Sequence, residues 1–200
     1  MRKIVVISMV SLDGIMQAPG GPEEDTSGGF KYGGWTWPFQ SEFSQKIFAK
    51  EFSGEYDLLL GRKTYDIWRN YWPKQKGVIA DPFNKATKYV VSHTDKDLTW
   101  EKTVLVSGDV PAKIKELKEG DGPMLSVQGS SNMIQTLLKH DLVDELWLRI
   151  YPVTLGSGKR LFGEGTIPAA FELTKSSVAP NSVIFAYYKR AGDVKTGSFA

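Results

Sequence analysis

Glycines followed by basic or hydroxyl side chains come directly after two apolar runs of this 200-residue sequence. The two groups are Gly61, Arg62, Lys63 and Thr64, and then Gly129, Ser130, Ser131 and Asn132. A glycine between a strand and a helix lets a ligand approach the backbone, and the free N–H groups of the helix attract an anion. Either group alone fits an ordinary turn or helix cap about as well. We call each glycine together with the helix N-terminus that follows it a helix mouth. Two helix mouths together, one of them basic, fit a pyrophosphate plus a further phosphate and predict NADPH rather than NADH as the cofactor.

Candidate proton donors and substrate contacts come from other positions. Asp13 follows the first apolar run in an Asp-Gly pair, and Glu42 begins a helix expected to face the same cleft. Either could be the catalytic acid, although Asp13 could equally form an Asx turn, Glu42 could complement its helix dipole, and water could supply the proton. Trp35 and Trp37 could stack on a flat heterocycle, but aromatic side chains more often belong to the core.

These residues need strands that end at a common edge. Continuous apolar runs predict buried parallel strands, and a late alternating run predicts a strand with two different faces. The predicted strands are Ile4–Met9, Asp57–Leu60, Lys88–Val91, Thr103–Val106, Met124–Val127, Glu145–Tyr151, Phe171–Val178 and Val183–Tyr188. Parallel βα units followed by an antiparallel end describe an open α/β sheet, in which ligands bind at the carboxyl ends of the strands.

The length favours a single domain over residues 1–200, with a tail at 191–200. Residues 18–38 are dense in Gly and Pro and end in a Trp-rich stretch, which predicts an active-site loop that packs over something. Helices are predicted after Ser41, around Tyr65 and Trp68, after Asp109, and after Gly129.

Composition excludes several classes of function. The net charge is only +2, which gives no electrostatic footprint for nucleic acid or an anionic membrane. There is no cysteine, and His93 and His140 have no metal-ligand spacing, so no metal site is expected. The N-terminal apolar run meets Asp13 too early for a signal peptide, and no run approaches the roughly 20 apolar residues that span a bilayer. A cytoplasmic protein acting on a small molecule is expected.

The motifs also resemble a known family. Residues 7–14 (ISMVSLDG), 141–146 (DLVDEL) and 151–158 (YPVTLGSG) resemble the reductase domain of bacterial riboflavin biosynthesis, and residues 61–64 (GRKT) resemble the cofactor mouth of dihydrofolate reductase. The resemblance covers residues 2–190. It implies a dihydrofolate-reductase-like α/β fold, with a mixed, mostly parallel sheet flanked by helices and antiparallel C-terminal strands.

The resemblance also implies NADPH, hydride transfer to a C=N or C=O group of a pterin-like or ribosylaminopyrimidine-like molecule, and a homodimer. Residues 61–64 would bind the diphosphate and adenosine phosphate, residues 129–132 the diphosphate, and Ser92 the adenosine ribose or its phosphate. Asp13 and the region 35–37 would border the nicotinamide and the substrate, with Gln128 as a further substrate contact. Gln128 stands where the riboflavin reductases tend to carry Glu, and Glu42 is a loose positional match to the first-helix carboxylate that contacts the pterin in dihydrofolate reductases. The alternative is a nucleotide-binding module on the same scaffold that performs no turnover.

Overall fold

The computed structural model describes residues 1–164 and 166–199, and these contain one eight-stranded sheet. The strands are β1 (Ile4–Ser11), β2 (Tyr56–Gly61), β3 (Lys88–Val91), β4 (Thr103–Val106), β5 (Met124–Val127), β6 (Glu145–Tyr151), β7 (Phe171–Val178) and β8 (Ile184–Arg190). Their order across the sheet is β4-β3-β2-β5-β1-β6-β8-β7. The first six strands pair in parallel, while β8 pairs antiparallel with both β6 and β7. The predicted mixed sheet with an antiparallel C-terminal end is therefore confirmed.

Helices connect the parallel strands except β3 and β4, which are joined by residues 92–102 without a helix. The helices are α1 (Glu42–Glu51), α2 (Arg62–Tyr71), α3 (Ala80–Lys85), α4 (Val110–Glu119) and α5 (Ser131–Lys139). The side chain of Ser41 caps α1 by accepting from the N–H of Ser44 at 3.2 Å, and Asp109 caps α4 by accepting from Ala112 at 3.1 Å. The short helix α3 was not predicted.

The core lies on both faces of the sheet. One layer packs aromatic side chains from α1, α2 and α3 against the sheet, and the other packs the aliphatic faces of α4 and α5. Because the central strands are covered on both faces, Leu58, Leu59 and Leu60 of β2 are all fully buried. This double burial is the reason that the parallel strands read as continuous apolar runs.

Residues 18–38 form an irregular segment packed onto the sheet. The indole N–H of Trp35 donates to the carbonyl of Gln17 at 2.8 Å, and Thr36 Oγ1 donates to the carbonyl of Pro19 at 2.7 Å. Phe30 is also buried, so the segment is held by its own side chains. Among residues 1–164 and 166–199, no helix is both long and apolar enough to cross a membrane.

Candidate functional site

A cleft of about 510 Å³ opens at the carboxyl ends of β1, β2 and β5. Residues 18–38 form one side of it, and the N-terminal ends of α2 and α5 form another. Its deeper part is lined by aromatic side chains, which are Phe48, Phe52, Trp68, Trp72 and Phe83. The cleft therefore joins a polar mouth at two helix ends to an apolar interior that can exclude water, as ligand sites commonly do.

The two predicted helix mouths meet inside this cleft. β2 and β5 are neighbours in the sheet, and the N–H of Gly61 donates to the carbonyl of Gly129 at 3.3 Å. A Cβ on Gly61 would lie 2.1 Å from Ser130 Oγ, and a Cβ on Gly129, whose φ is +149°, would lie 2.6 Å from Thr64 Oγ1. The peptide bond between Gly129 and Ser130 is cis. A side chain at either junction would collide with the facing loop, so the close approach favours glycine.

The first-turn N–H groups of both helices lack a side-chain cap. Neither Gly61 before α2 nor Ser130 before α5 makes a side-chain capping hydrogen bond. Lys63, Thr64 and Ser131 border the cleft at these ends. Uncapped helix N-termini with hydroxyl and ammonium groups beside them form a site suited to a diphosphate.

Arg62 stands beside this site, outside the cleft lining. Its Nε donates to Asp66 at 2.8 Å, and its Nη1 is buried without a hydrogen-bond partner in the described residues. The hydrogen bond that Arg62 donates to Asp66 raises the pKa of Arg62, and the charge of Asp97 in the loop after β3 adds to this effect. Ser92 directly follows β3, the strand that pairs with β2, and its hydroxyl donates to the carbonyl of Thr94 at 2.8 Å. Arg62 and Ser92 therefore follow the carboxyl ends of two neighbouring strands.

The structure places the carboxylate of Asp13 among hydrogen-bond donors outside the cleft lining. Its carboxylate accepts from Ser11 Oγ at 2.5 Å and from the N–H groups of Leu155 and Gly156 at 3.2 and 2.8 Å. The Ser11 hydrogen bond does most to lower the pKa of Asp13, which burial opposes and the two backbone bonds assist. The side chain is absent from the cleft lining. Asp13 therefore anchors the loop after β6 and is held ionised.

The remaining predicted contacts divide between cleft and surroundings. Gln128 and Trp37 line the cleft, the latter with 76% of its surface exposed. Trp35 is buried in the core with its ring edge-on to Tyr151 at 5.2 Å, so it is no stacking platform for a ligand in this cleft. Glu42 is exposed on the first turn of α1 and outside the cleft, which fits the helix-dipole interpretation. Asn132 is exposed and also outside the lining.

Two carboxylates that do line the cleft come from the loop at 18–38. Burial would raise the pKa of Asp25, but hydrogen bonds from Lys159 and Lys63, at 2.5 Å each, outweigh it and hold this pKa well below its usual range. Burial raises the pKa of its neighbour Glu24, which accepts from the N–H of Gly20 at 2.6 Å. Adjacent carboxyl groups with pKa values pushed apart are typical of an acid and its charged neighbour. In the sequence these two look like ordinary loop acids.

Arg149 lines the cleft and forms a buried ion pair with Glu51. Arg149 of β6 is 3% exposed and donates from Nη2 to Oε2 of Glu51, at the end of α1. The other oxygen of Glu51 accepts from the hydroxyl of Tyr187 at 2.6 Å. Burial lowers the pKa of Arg149, and the charge of Glu51 opposes that effect. Sequence analysis missed this group because its members lie far apart in the chain.

Solved structures share this arrangement of strands and helices. A putative riboflavin biosynthesis protein from Shewanella sp. PV-4 is 24% identical, with a TM-score of 0.66 over 94% of this chain and 99% of that one. A pyrimidine reductase-like protein from Corynebacterium diphtheriae is 15% identical, with a TM-score of 0.65 over 96% and 93%. Dihydrofolate reductase from Enterococcus faecalis, complexed with NADP(H) and RAB-propyl, is 16% identical, with a TM-score of 0.59 over 94% and 96%. The protein therefore has the dihydrofolate-reductase-like fold.

Within that class, residues 2–185 match the RibD C-terminal domain, and the chain belongs to this family. Two curated relatives come from Bacillus subtilis strain 168. The uncharacterized protein YyaP is 27% identical over 170 residues, which is 80% of each chain. The uncharacterized protein YwjB is 26% identical over 165 residues, which is 82% of this chain and 85% of that protein. Family and fold together define a reductase-type scaffold.

Proposed function

We propose that this protein is an NADPH-dependent reductase acting on a small, flat heterocyclic substrate of the pterin-like or ribosylaminopyrimidine-like kind. The observation that carries the proposal is the meeting of two uncapped helix N-termini at Gly61 and Gly129. Side chains at these junctions would fill the space where the two loops approach, and the free N–H groups beside them suit a diphosphate. The relative from Enterococcus faecalis, complexed with NADP(H), supports the same cofactor.

The residues present fit this cofactor. Thr64, Ser130 and Ser131 would hold the diphosphate at the helix ends, beside Lys63 and its partner Asp25. Arg62, whose Nη1 is buried without a partner beside the cleft, would turn toward the additional phosphate. NADPH, when bound, supplies the hydride, and the protein supplies orientation, a dry cleft and a proton.

Glu24 is the group we assign to the proton. It lines the cleft, unlike Asp13 and Glu42, and burial favours its protonated form. A carboxyl group that keeps its proton toward neutral pH can donate it to a reacting nitrogen or oxygen. Asp25 beside it stays ionised and holds Lys63 and Lys159, which fixes the loop around the donor.

The test is a pair of titrations with NADPH and NADH, followed by quenching of the intrinsic tryptophan fluorescence. Trp37, Trp68 and Trp72 all line the cleft, so occupancy should quench them. We expect saturation by both nucleotides, with at least tenfold tighter binding of NADPH. The absence of saturation with either nucleotide would refute the proposal, and the two helix mouths would then be structural caps.

The preference for NADPH can be assigned to one side chain. Arg62→Ala should weaken NADPH far more than NADH, because only NADPH carries the phosphate that Arg62 would meet. Arg69→Ala is the matched control, since Arg69 is the other partner of Asp66, at 3.2 Å, and stands two turns into α2. Equal losses for both nucleotides in Arg62→Ala would contradict the assigned role.

The competing function is a nucleotide-binding module without turnover. It shares the helix mouths and differs in the fate of bound NADPH. Tight NADPH binding with no oxidation of the nucleotide across pterins, ribosylaminopyrimidines and small carbonyl compounds would favour that alternative. The presence of a carboxyl group with a raised pKa in the cleft favours the reductase.

A further inference from the structure

The wall of the cleft formed by β6 contains hydrogen-bond donors that the protein does not use. A guanidinium has five N–H donors, and Arg149 uses one of them in its hydrogen bond to Glu51. Its Nε is buried without a partner, and in the described residues its Nη1 also makes no hydrogen bond. A buried donor without a partner is costly unless a ligand or water completes it, and Arg149 lines the cleft that a ligand would enter.

Glu51 and Tyr187 keep these donors in place. Both oxygens of Glu51 are occupied, one by Arg149 and the other by the Tyr187 hydroxyl at 2.6 Å. The guanidinium carbon of Arg149 also lies over the ring of Phe48, 4.7 Å from the ring centroid, in a cation–π contact. Both oxygens of Glu51 are therefore bonded within the protein, and Arg149 adds donors to the cleft wall.

The surroundings of Arg149 favour a flat and uncharged group. Phe52 and Phe83 line the same cleft with their rings edge-to-face at 5.1 Å, and Trp68 stacks on Phe83 at 5.0 Å. The positive charge of Arg149 is already balanced by Glu51. A second full negative charge would remain unpaired in an apolar interior, whereas a carbonyl oxygen would satisfy the donors at no such cost.

We propose that Arg149, positioned by Glu51 and Tyr187, is the specificity-determining residue of the substrate end of the cleft and selects a ring that presents a carbonyl oxygen to it. A ring presenting an amino group at that edge is rejected, because donors would then face donors. This inference rests on the proposed function, since it places the substrate rather than another ligand in the aromatic part of the cleft.

The experiment compares two pteridines of equal size by isothermal titration calorimetry. Lumazine (pteridine-2,4-dione) presents carbonyl oxygens at the positions where pteridine-2,4-diamine presents amino groups. We expect the wild-type protein with saturating NADPH to bind lumazine at least tenfold more tightly. Arg149→Lys keeps a charge for Glu51 but loses the planar set of donors, and should reduce this preference to below threefold.

The matched control is Arg2→Lys. Arg2 is also 3% exposed in its side chain and pairs with a carboxylate, that of Asp57, but it precedes β1 and is outside the cleft. Its substitution weakens a comparable buried pair and should leave the preference for lumazine unchanged. Tyr187→Phe, which loosens Glu51 without touching the ligand, should reduce the preference by a smaller factor than Arg149→Lys.

The outcomes separate this inference from the proposed function, because NADPH binding is measured on the same preparations. Saturable NADPH binding with equal affinity for the two pteridines, or with tighter binding of the diamine, would overturn the role of Arg149 and leave the reductase intact. An undiminished preference in Arg149→Lys would also overturn it. A preference for lumazine without any NADPH binding would support the donor wall and refute the reductase.

Discussion

At the scale of single residues, the two adjacent carboxyl groups of the loop at 18–38 have opposite environments. Asp25 accepts from two lysines and stays ionised, whereas burial raises the pKa of Glu24 against the opposing backbone hydrogen bonds of Gly20 and Gly21. The contrast arises from partners and not from residue type. It gives the cleft a group that can carry a proton beside a group that cannot.

Glu24→Gln tests this division of roles. In the wild type we expect a side-chain carboxyl that titrates above the ordinary glutamate range in a carbon-13 NMR titration, and that signal should vanish in the variant. Turnover of any accepted substrate should fall as the pH rises through that pKa, because the acid loses its proton there. Glu24→Gln should lower kcat by roughly 10²-fold or more and abolish that pH dependence.

Glu23→Gln is the control for this substitution. Glu23 is the preceding residue of the same loop, is exposed, and is outside the cleft lining. It removes the same charge without touching the cleft, so kcat and its pH profile should stay as in the wild type. A wild-type pH profile in Glu24→Gln would mean that water or another group donates the proton.

At the scale of elements, the site depends on how closely the ends of β2 and β5 approach. Gly129→Ala places a methyl group 2.6 Å from Thr64 Oγ1, at a φ of +149° that residues with a Cβ rarely adopt. We expect a loss of more than about 1 kcal/mol of stability and at least tenfold weaker NADPH binding, because the mouths of α2 and α5 must move apart. Thermal unfolding and fluorescence titration measure the two effects.

The control for Gly129→Ala is a substitution at Gly192, near the C-terminus. Gly192 also has a positive φ, of +86°, but nothing lies within 4 Å of a Cβ built on it. Gly192→Ala therefore imposes the backbone strain without the collision and should leave NADPH affinity unchanged. Equal affinities in Gly129→Ala and Gly192→Ala would show that the approach of the two loops does not shape the site.

The parallel strands could be predicted because their burial leaves a pattern in consecutive residues of the sequence. The parallel strands are covered on both faces, so their apolar runs and the glycines ending them mark the helix mouths directly. The helix α3 escaped prediction because six residues, one of them Pro82, are too few to show a helical period. Arg149 and Glu51 are 98 residues apart, and Glu24 differs from Glu23 only in its burial, so neither pattern is visible in the sequence.

At the scale of the whole molecule, the edge strand β7 and its neighbour expose apolar side chains. Leu173, Val178 and Ile184 are 49%, 64% and 37% exposed. An exposed apolar edge favours self-association, and the homodimer that the family resemblance implies stays a prediction. We expect light scattering at micromolar concentration to give twice the 22.3 kDa of one chain.

Charged substitutions on the two edges of the sheet locate the interface. Leu173→Lys should shift the mass toward that of one chain, because it places an ammonium group on the apolar patch. Val104→Lys makes the same change on β4, the opposite edge, where Val104 is 45% exposed, and should leave the mass unchanged. A wild-type protein with the mass of one chain would refute the dimer.

The stability of the whole molecule should depend on pH through one buried lysine at the other end of the sheet from the cleft. Lys88 begins β3, is fully buried, and donates to the carbonyls of Asn84 and Glu101 at 2.7 and 3.1 Å. Burial lowers the pKa of Lys88 from 10.5 to about 8, and the charge of Lys102 adds to this effect. Below pH 8 both folded and unfolded chains carry the proton, and the cost of burying the charge is fully present.

Between pH 8 and 10.5 the folded chain loses this proton while the unfolded chain keeps it, so the free energy of unfolding gains a contribution that rises with pH, up to about 3 kcal/mol. Lys88→Met removes this group and, with it, the rise. Urea denaturation of both proteins from pH 7 to 10 measures the difference, and other titrating groups cancel because they are common to both. Parallel curves for the two proteins would mean that the two carbonyls and the Trp100 ring, 4.4 Å from the ammonium, stabilise the charge as well as water does.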